Sequence, residues 1–134
     1  MSRFLLDTNH MSAAIRQASV LRDRIRQHHR RGDRFATCVP VLCELEVGIR
    51  QTLAIEANHR RLAVVLEIMK IWPLESDAPA CFAELYQKAR ARGQPMTSID
   101  LFLATLAILR GAIILTTDQD FAALPEVPTE NWLS

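Results

Sequence analysis

The sequence predicts an α/β domain built around a short parallel sheet. Two stretches carry that reading. Phe4–Leu6 is an apolar run that stops abruptly at Asp7, and "SIDLFLATLAILRGAIILTTD" (residues 98–118) reads as a helix, a stop and a buried strand that also ends in a carboxylate. A helix feeding a buried strand in this way is the repeating unit of parallel α/β sheets. The length of 134 residues and the apolar fraction of 49% suit a single domain, residues 1–134, with ample material for a core.

The elements follow in order. Phe4–Leu6 is the first strand. Residues 11–17 and about 19–30 read as helices, and the Gly32-Asp33 turn leads to a second strand over Arg34–Thr37. Pro40 suits the first turn of a helix that continues through "VPVLCELEVGIRQ". Leu62, Val65, Leu66 and Met69 recur at helical spacing, which predicts a helix over 56–70. "IWPLE" (71–75) suggests a third short strand, with Pro73 at its edge or end. Residues 77–92 form a helix closed by "RGQP". Thr97 or Ser98 then caps the next helix, and Gly111 ends it in the left-handed conformation. Ile99, Leu101, Phe102, Leu103, Leu106, Ile108 and Leu109 make that helix apolar nearly all round, so it is expected to be buried.

Bulk features exclude several classes. No run of about 18 apolar residues is present, so no membrane span is expected. The start of the chain lacks the pattern of an export signal. Cys38, Cys43 and Cys81 are odd in number and form no C-x-x-C pair, so they read as reduced core residues of a cytoplasmic protein. Charge is distributed unevenly. Residues 16–34 carry seven arginines and a net +5, while residues 116–134 carry four acids and no Lys or Arg. A basic face beside an acidic pocket suits a polyanionic substrate and a metal cofactor, although an Arg-rich run alone also fits a solvated helix.

Four carboxylates stand out. Asp7 follows a strand, where it would serve either as a helix cap or as a site residue. Glu44 has Pro40 and Gly48 as its neighbours four residues away, so it has no basic partner on its helix and reads as pointing inward, with Gly48 leaving room for another backbone. Glu46 has Arg50 four residues on and reads as a surface ion pair. Asp100 lies in the first turn of the apolar helix, with Ala104 and Ala107 allowing close packing on the sheet. Asp118 directly follows Thr116 and Thr117 at a strand end, while Asp120 suits a cap for a short helix. Gathered together, four carboxylates would repel unless cations neutralised them, and Mg²⁺ or Mn²⁺ take such ligands. Metal-assisted phosphodiester hydrolysis is the chemistry this set would support.

The same residues resemble those of a known family. "LLDTN", with Asp7 and Asn9, "CELEVG", with Glu44, Leu45 and Gly48, "SIDLFLATLA", with Asp100, and "LTTDQDF", with Thr116 and Asp118, are similar in order and spacing to the motifs of the PIN domain. The nearest likeness is to the VapC-like toxin ribonucleases of bacterial toxin–antitoxin pairs, and the closing "ENW" also matches. This resemblance implies a three-layer α/β/α sandwich, a homodimer, Mg²⁺ or Mn²⁺, and endonucleolytic cleavage of RNA. Asp7, Glu44, Asp100 and Asp118 would hold the metal or position water, Asn9 and Thr116 would orient these ligands, and arginines such as Arg90, Arg92 and some of residues 22–34 would hold phosphates. A small DNA-binding antitoxin would block the pocket with an arginine-bearing tail. Two departures are visible: Val39 and Val41 replace frequent hydroxyls, and His10 stands where many relatives carry an apolar residue. As a lone histidine, His10 reads as a packing residue.

Rival readings fit less well. An aspartyl-nucleophile phosphatase needs a second Asp two residues after the first, where this chain has Asn9. A receiver-type domain needs a late lysine after a strand, and Lys70 and Lys88 are the only lysines. A PIN-like binding module without catalysis is opposed by acids at all four positions.

Overall fold

Short apolar runs pair most readily when both faces of a sheet are covered, and among the described residues every strand pairs parallel. The structure, a computed structural model, describes residues 1–133. Strands β1 (Arg3–Leu6), β2 (Arg34–Cys38), β3 (Met69–Trp72), β4 (Ile113–Leu115) and β5 (Thr129–Glu130) form one sheet in the order β3-β2-β1-β4-β5. Six helices flank it: α1 (Thr8–Ala14), α2 (Val20–Arg30), α3 (Val39–Arg50), α4 (Ile55–Leu66), α5 (Ala78–Ala91) and α6 (Ser98–Arg110). β1 is the central strand, and Leu5 and Leu6 are fully buried. Phe4 pairs with Phe35 on one side and Ile113 on the other.

This order places the site. From β1 the chain builds outward through β2 and β3, then returns to the other side of β1 for β4 and β5. The connections diverge between β1 and β4, which opens a crevice at the carboxyl ends of those two strands. Asp7 leaves β1 there, its amide donating to Leu115 O at 3.1 Å, and Thr116–Asp118 leave β4 beside it.

Several boundaries differ from the sequence reading. Helix α1 starts at Thr8, because Asp7 caps it: the Asp7 side chain accepts from the His10 amide. Helix α4 ends at Leu66 rather than 70, and β3 runs over Met69–Trp72 rather than 71–75. Short apolar runs carry both periods, and pairing with β2 decides this one. Thr97 is the cap of α6, and Gly111 ends it at φ +68°. That helix buries Leu101 and residues 103–107, but Ile108 is exposed. Only Cys38 of the three cysteines is buried; Cys81 is intermediate and Cys43 exposed. Among the described residues no helix is long and apolar enough to cross a membrane.

Candidate active site

The crevice between β1 and β4 is a cavity of about 270 Å³ lined by Asp7, Thr8, Asn9, Glu44, Thr97, Ile99, Asp100, Leu103 and Asp118. Four separate segments therefore deliver the four carboxylates singled out in the sequence to one cavity wall. Each arrives with a local reason for its position.

Asp7 caps α1 and also lines the cavity. One oxygen, Oδ1, accepts the His10 amide at 2.8 Å as a helix cap, while the residue also faces the cavity. Glu44 is exposed at the rim rather than pointing inward, and the hydroxyl of Thr8 donates to its Oε1. No other atom lies within 4 Å of where a Gly48 side chain would be, so that glycine serves no close approach. Glu46 is the surface partner expected: Arg50 Nε and His59 Nε2 each lie 2.9 Å from its Oε1, and these bonds hold its carboxyl below the usual range.

The tightest acidic group is Asp100, Asp118 and Asp120, each offering an oxygen within 4.8 Å of the others. Asp118 lines the cavity as expected, but the cap expected of Asp120 is made by Asp118 instead. Asp118 caps the short 3₁₀ turn Gln119–Ala123, accepting the Asp120 amide at 2.8 Å, and Asp120 joins the cluster. Burial of Asp100, followed by the charge of Asp118, pushes its carboxyl up to about 7; the Asp120 charge adds to this and a hydrogen bond from Thr97 opposes it. A carboxyl held that far above 3.8 marks a buried acid with a second negative charge close by. An oxygen-only donor set with surplus negative charge fits a hard divalent cation.

The supporting residues divide. Thr116 is buried and its Oγ1 accepts the Asp118 amide at 3.0 Å, shaping the turn from beneath the cavity. Asn9 lines the cavity and donates to Thr117 Oγ1 at 3.1 Å, tying α1 to the loop after β4. Arg92 is engaged by Ala123 O and lies 3.5 Å from Glu126, whereas Arg90 donates to Tyr86 and sits exposed beside Gly93, Pro95 and Met96. Several arginines of the basic run have structural duties. Arg22 donates to Ala14 O, Arg16 O and Gln17 O at the end of α1, and Arg24 stacks 3.9 Å over Trp132. The sequence reading missed Thr8, Thr97 and Asp120 as members of the site. Thr8 lies inside the "LLDTN" stretch already singled out, and Asp120 two residues from Asp118, so proximity in sequence was their only signal.

Comparison with known proteins agrees with this fold. The PIN domain profile matches residues 4–127. Ribonuclease VapC5 of Mycobacterium tuberculosis is 34% identical over 94 residues, covering 69% of this chain and 70% of that one. Ribonuclease VapC4 of the same organism is 35% identical over 102 residues, covering 71% and 78%. The fold matches the crystal structure of VapBC2 from Rickettsia felis bound to a DNA fragment from their promoter, with a TM-score of 0.84, 24% identity, and 97% and 98% coverage. The chain belongs to the PIN-domain family and, within it, to the VapC toxins of VapBC toxin–antitoxin systems.

Proposed function

We propose that this protein is a metal-dependent endoribonuclease and the toxin of a toxin–antitoxin pair. The observation that carries the reading is the convergence of Asp7, Glu44, Asp100 and Asp118 on one cavity at the sheet's divergence point, with Asp120 beside them. Asp7, Asp100 and Asp118 would hold Mg²⁺ or Mn²⁺, with Glu44 and Asp120 at the margin. When bound, the cation supplies charge neutralisation and Lewis acidity toward a phosphodiester.

The protein's own groups supply the rest. Thr8 fixes the Glu44 carboxylate, and the Asp120 amide fixes that of Asp118, so both hold one orientation. A carboxylate at this rim would accept a proton from a water that bonds to phosphorus, while the leaving oxygen takes a proton from solvent as its bond to phosphorus breaks. Of Arg90 and Arg92, Arg90 would be the freer to meet a phosphate, since Arg92 is engaged by Ala123 O and Glu126. The solved structures it resembles include VapBC complexes from Rickettsia felis and Salmonella typhimurium, and the likeness in fold extends along nearly the whole chain. We therefore expect a VapB-like antitoxin whose arginine-bearing tail enters the acidic cavity with charge-assisted bonds, and a homodimer in solution.

Labelled RNA incubated with the pure protein tests the reading. Cleavage should require Mg²⁺ or Mn²⁺, stop in EDTA, and be lost in Asp100→Asn. RNA bound but uncut under all conditions would instead identify a binding module, and full cleavage in EDTA would remove the metal from the mechanism.

A further inference from the structure

His10 is fully buried, yet both ring nitrogens are engaged. The backbone N–H of Trp132 donates to Nε2 at 3.1 Å. A nitrogen that accepts cannot carry the ring proton, so the proton sits on Nδ1. Nδ1 lies 3.1 Å from Asp7 Oδ1 and therefore donates to it. The His10 amide donates to the same oxygen at 2.8 Å. Oδ1 is thus held twice by one residue. Asp7 Oδ2 has no protein partner among the described residues and is not a buried orphan, so it is the oxygen left to the cavity that Asp7 lines.

We infer that His10 is a positioning residue for Asp7: it locks Oδ1 into the fold and turns Oδ2 toward the site. Trp132 in turn locks His10. Its ring packs against Phe4 at 4.9 Å, His28 at 4.7 Å and Phe35 at 5.9 Å, beneath the Arg24 guanidinium. The segment after β5 therefore sets the tautomer of a histidine 122 residues away and, through it, the orientation of the first carboxylate. An apolar residue at position 10 would leave Asp7 only its helix-capping bond, which does not by itself fix the carboxylate plane.

This inference rests on the proposed metal site, and two variants separate the two ideas. His10→Asn places an amide nitrogen near the position of Nδ1 and keeps the donor to Asp7 while losing the acceptor for Trp132. His10→Gln reaches the position of Nε2, keeps the acceptor for Trp132 and loses the donor to Asp7. Calorimetric titration with Mn²⁺ should show His10→Gln weakened by roughly 10-fold or more, the range found for partners of metal ligands, and His10→Asn within about threefold of wild type. In RNA cleavage the Gln variant should lose kcat rather than KM. Nitrogen-15 NMR of the metal-free wild type should show the His10 proton on Nδ1, a readout independent of either variant's folding. Equal Mn²⁺ affinity in His10→Gln and wild type, equal loss in both variants, or a proton on Nε2 would overturn the positioning role alone. A wild type that binds no Mn²⁺ would overturn the metal site and the role together.

Discussion

Asp100 carries the most strained charge of the site, and its surroundings fix the sign of two predictions. The unfolded chain releases its proton near 3.8, whereas the folded metal-free protein holds it to about 7. Between those values the native state binds more protons, so this residue's contribution makes stability fall as pH rises through that window and leaves it lowest above about 7. Asp100→Asn removes the charge and keeps the shape. Thermal melts of the metal-free proteins should show the variant more stable than wild type at pH 8, with the difference shrinking toward pH 4. A variant less stable than wild type at pH 8 would mean that burial and the neighbouring charges do not disfavour the ionised carboxyl as the geometry implies. The neighbouring glutamates give a second test. Thr8→Val deletes the hydroxyl that holds Glu44 and should lower RNA cleavage while costing at most about 1 kcal/mol of stability, since the bond is exposed. Glu46→Gln touches only Arg50 and His59 and should leave cleavage unchanged. Equal loss in both variants would contradict the separate roles.

At the scale of elements, helix α1 is only seven residues long, and its ends are held by side chains from elsewhere. Asp7 caps its start, while Arg22 and Arg61 reach the carbonyls at its end. A short helix leaves most of its terminal groups without internal partners, so such contacts decide whether it forms. Arg22→Ala should therefore cost about 2 kcal/mol, as charged hydrogen-bond donors to otherwise unpaired carbonyls do. Because its partners are carbonyls rather than ions, denaturation midpoints should show the same loss at low and high salt. A loss that vanishes in 1 M salt would indicate a surface charge effect instead. This also explains why a +5 run of sequence is not simply a substrate-binding face: Arg22 and Arg24 belong to the scaffold.

For the whole molecule, the site is assembled from segments as far apart as residues 7 and 118 and exists only when the sheet is formed. A cation that binds this arrangement binds the folded state alone, so Mg²⁺ or Mn²⁺ should raise the melting temperature. The increase should be largest for wild type and nearly absent for Asp100→Asn. Scanning calorimetry with and without metal checks this, and an equal increase in both proteins would place the ion elsewhere.

That Asp7, Asp100 and Asp118 stand at strand ends and a helix start was legible in the sequence because their signals are local. Apolar runs ending in Asp7 and Asp118, and a capped apolar helix carrying Asp100, announce strand ends and a helix start without any tertiary information. The central strands and Gly111 were legible for the same reason. Strand β5 was not, since two exposed residues have no periodicity and become a strand only by pairing with β4. Nor was the exposure of Glu44, because a helix pattern does not say which neighbours cover a face. The sharpest case is His10. Its sequence neighbours describe a packing residue, and its ring is indeed buried. Only the return of Trp132 across the sheet fixes its proton on Nδ1 and aims it at Asp7. The sequence by itself determined which groups could do the chemistry, since side-chain type and local period are written residue by residue. Tertiary structure decided which of their oxygens face the cavity, because orientation comes from hydrogen bonds between segments that are distant along the chain.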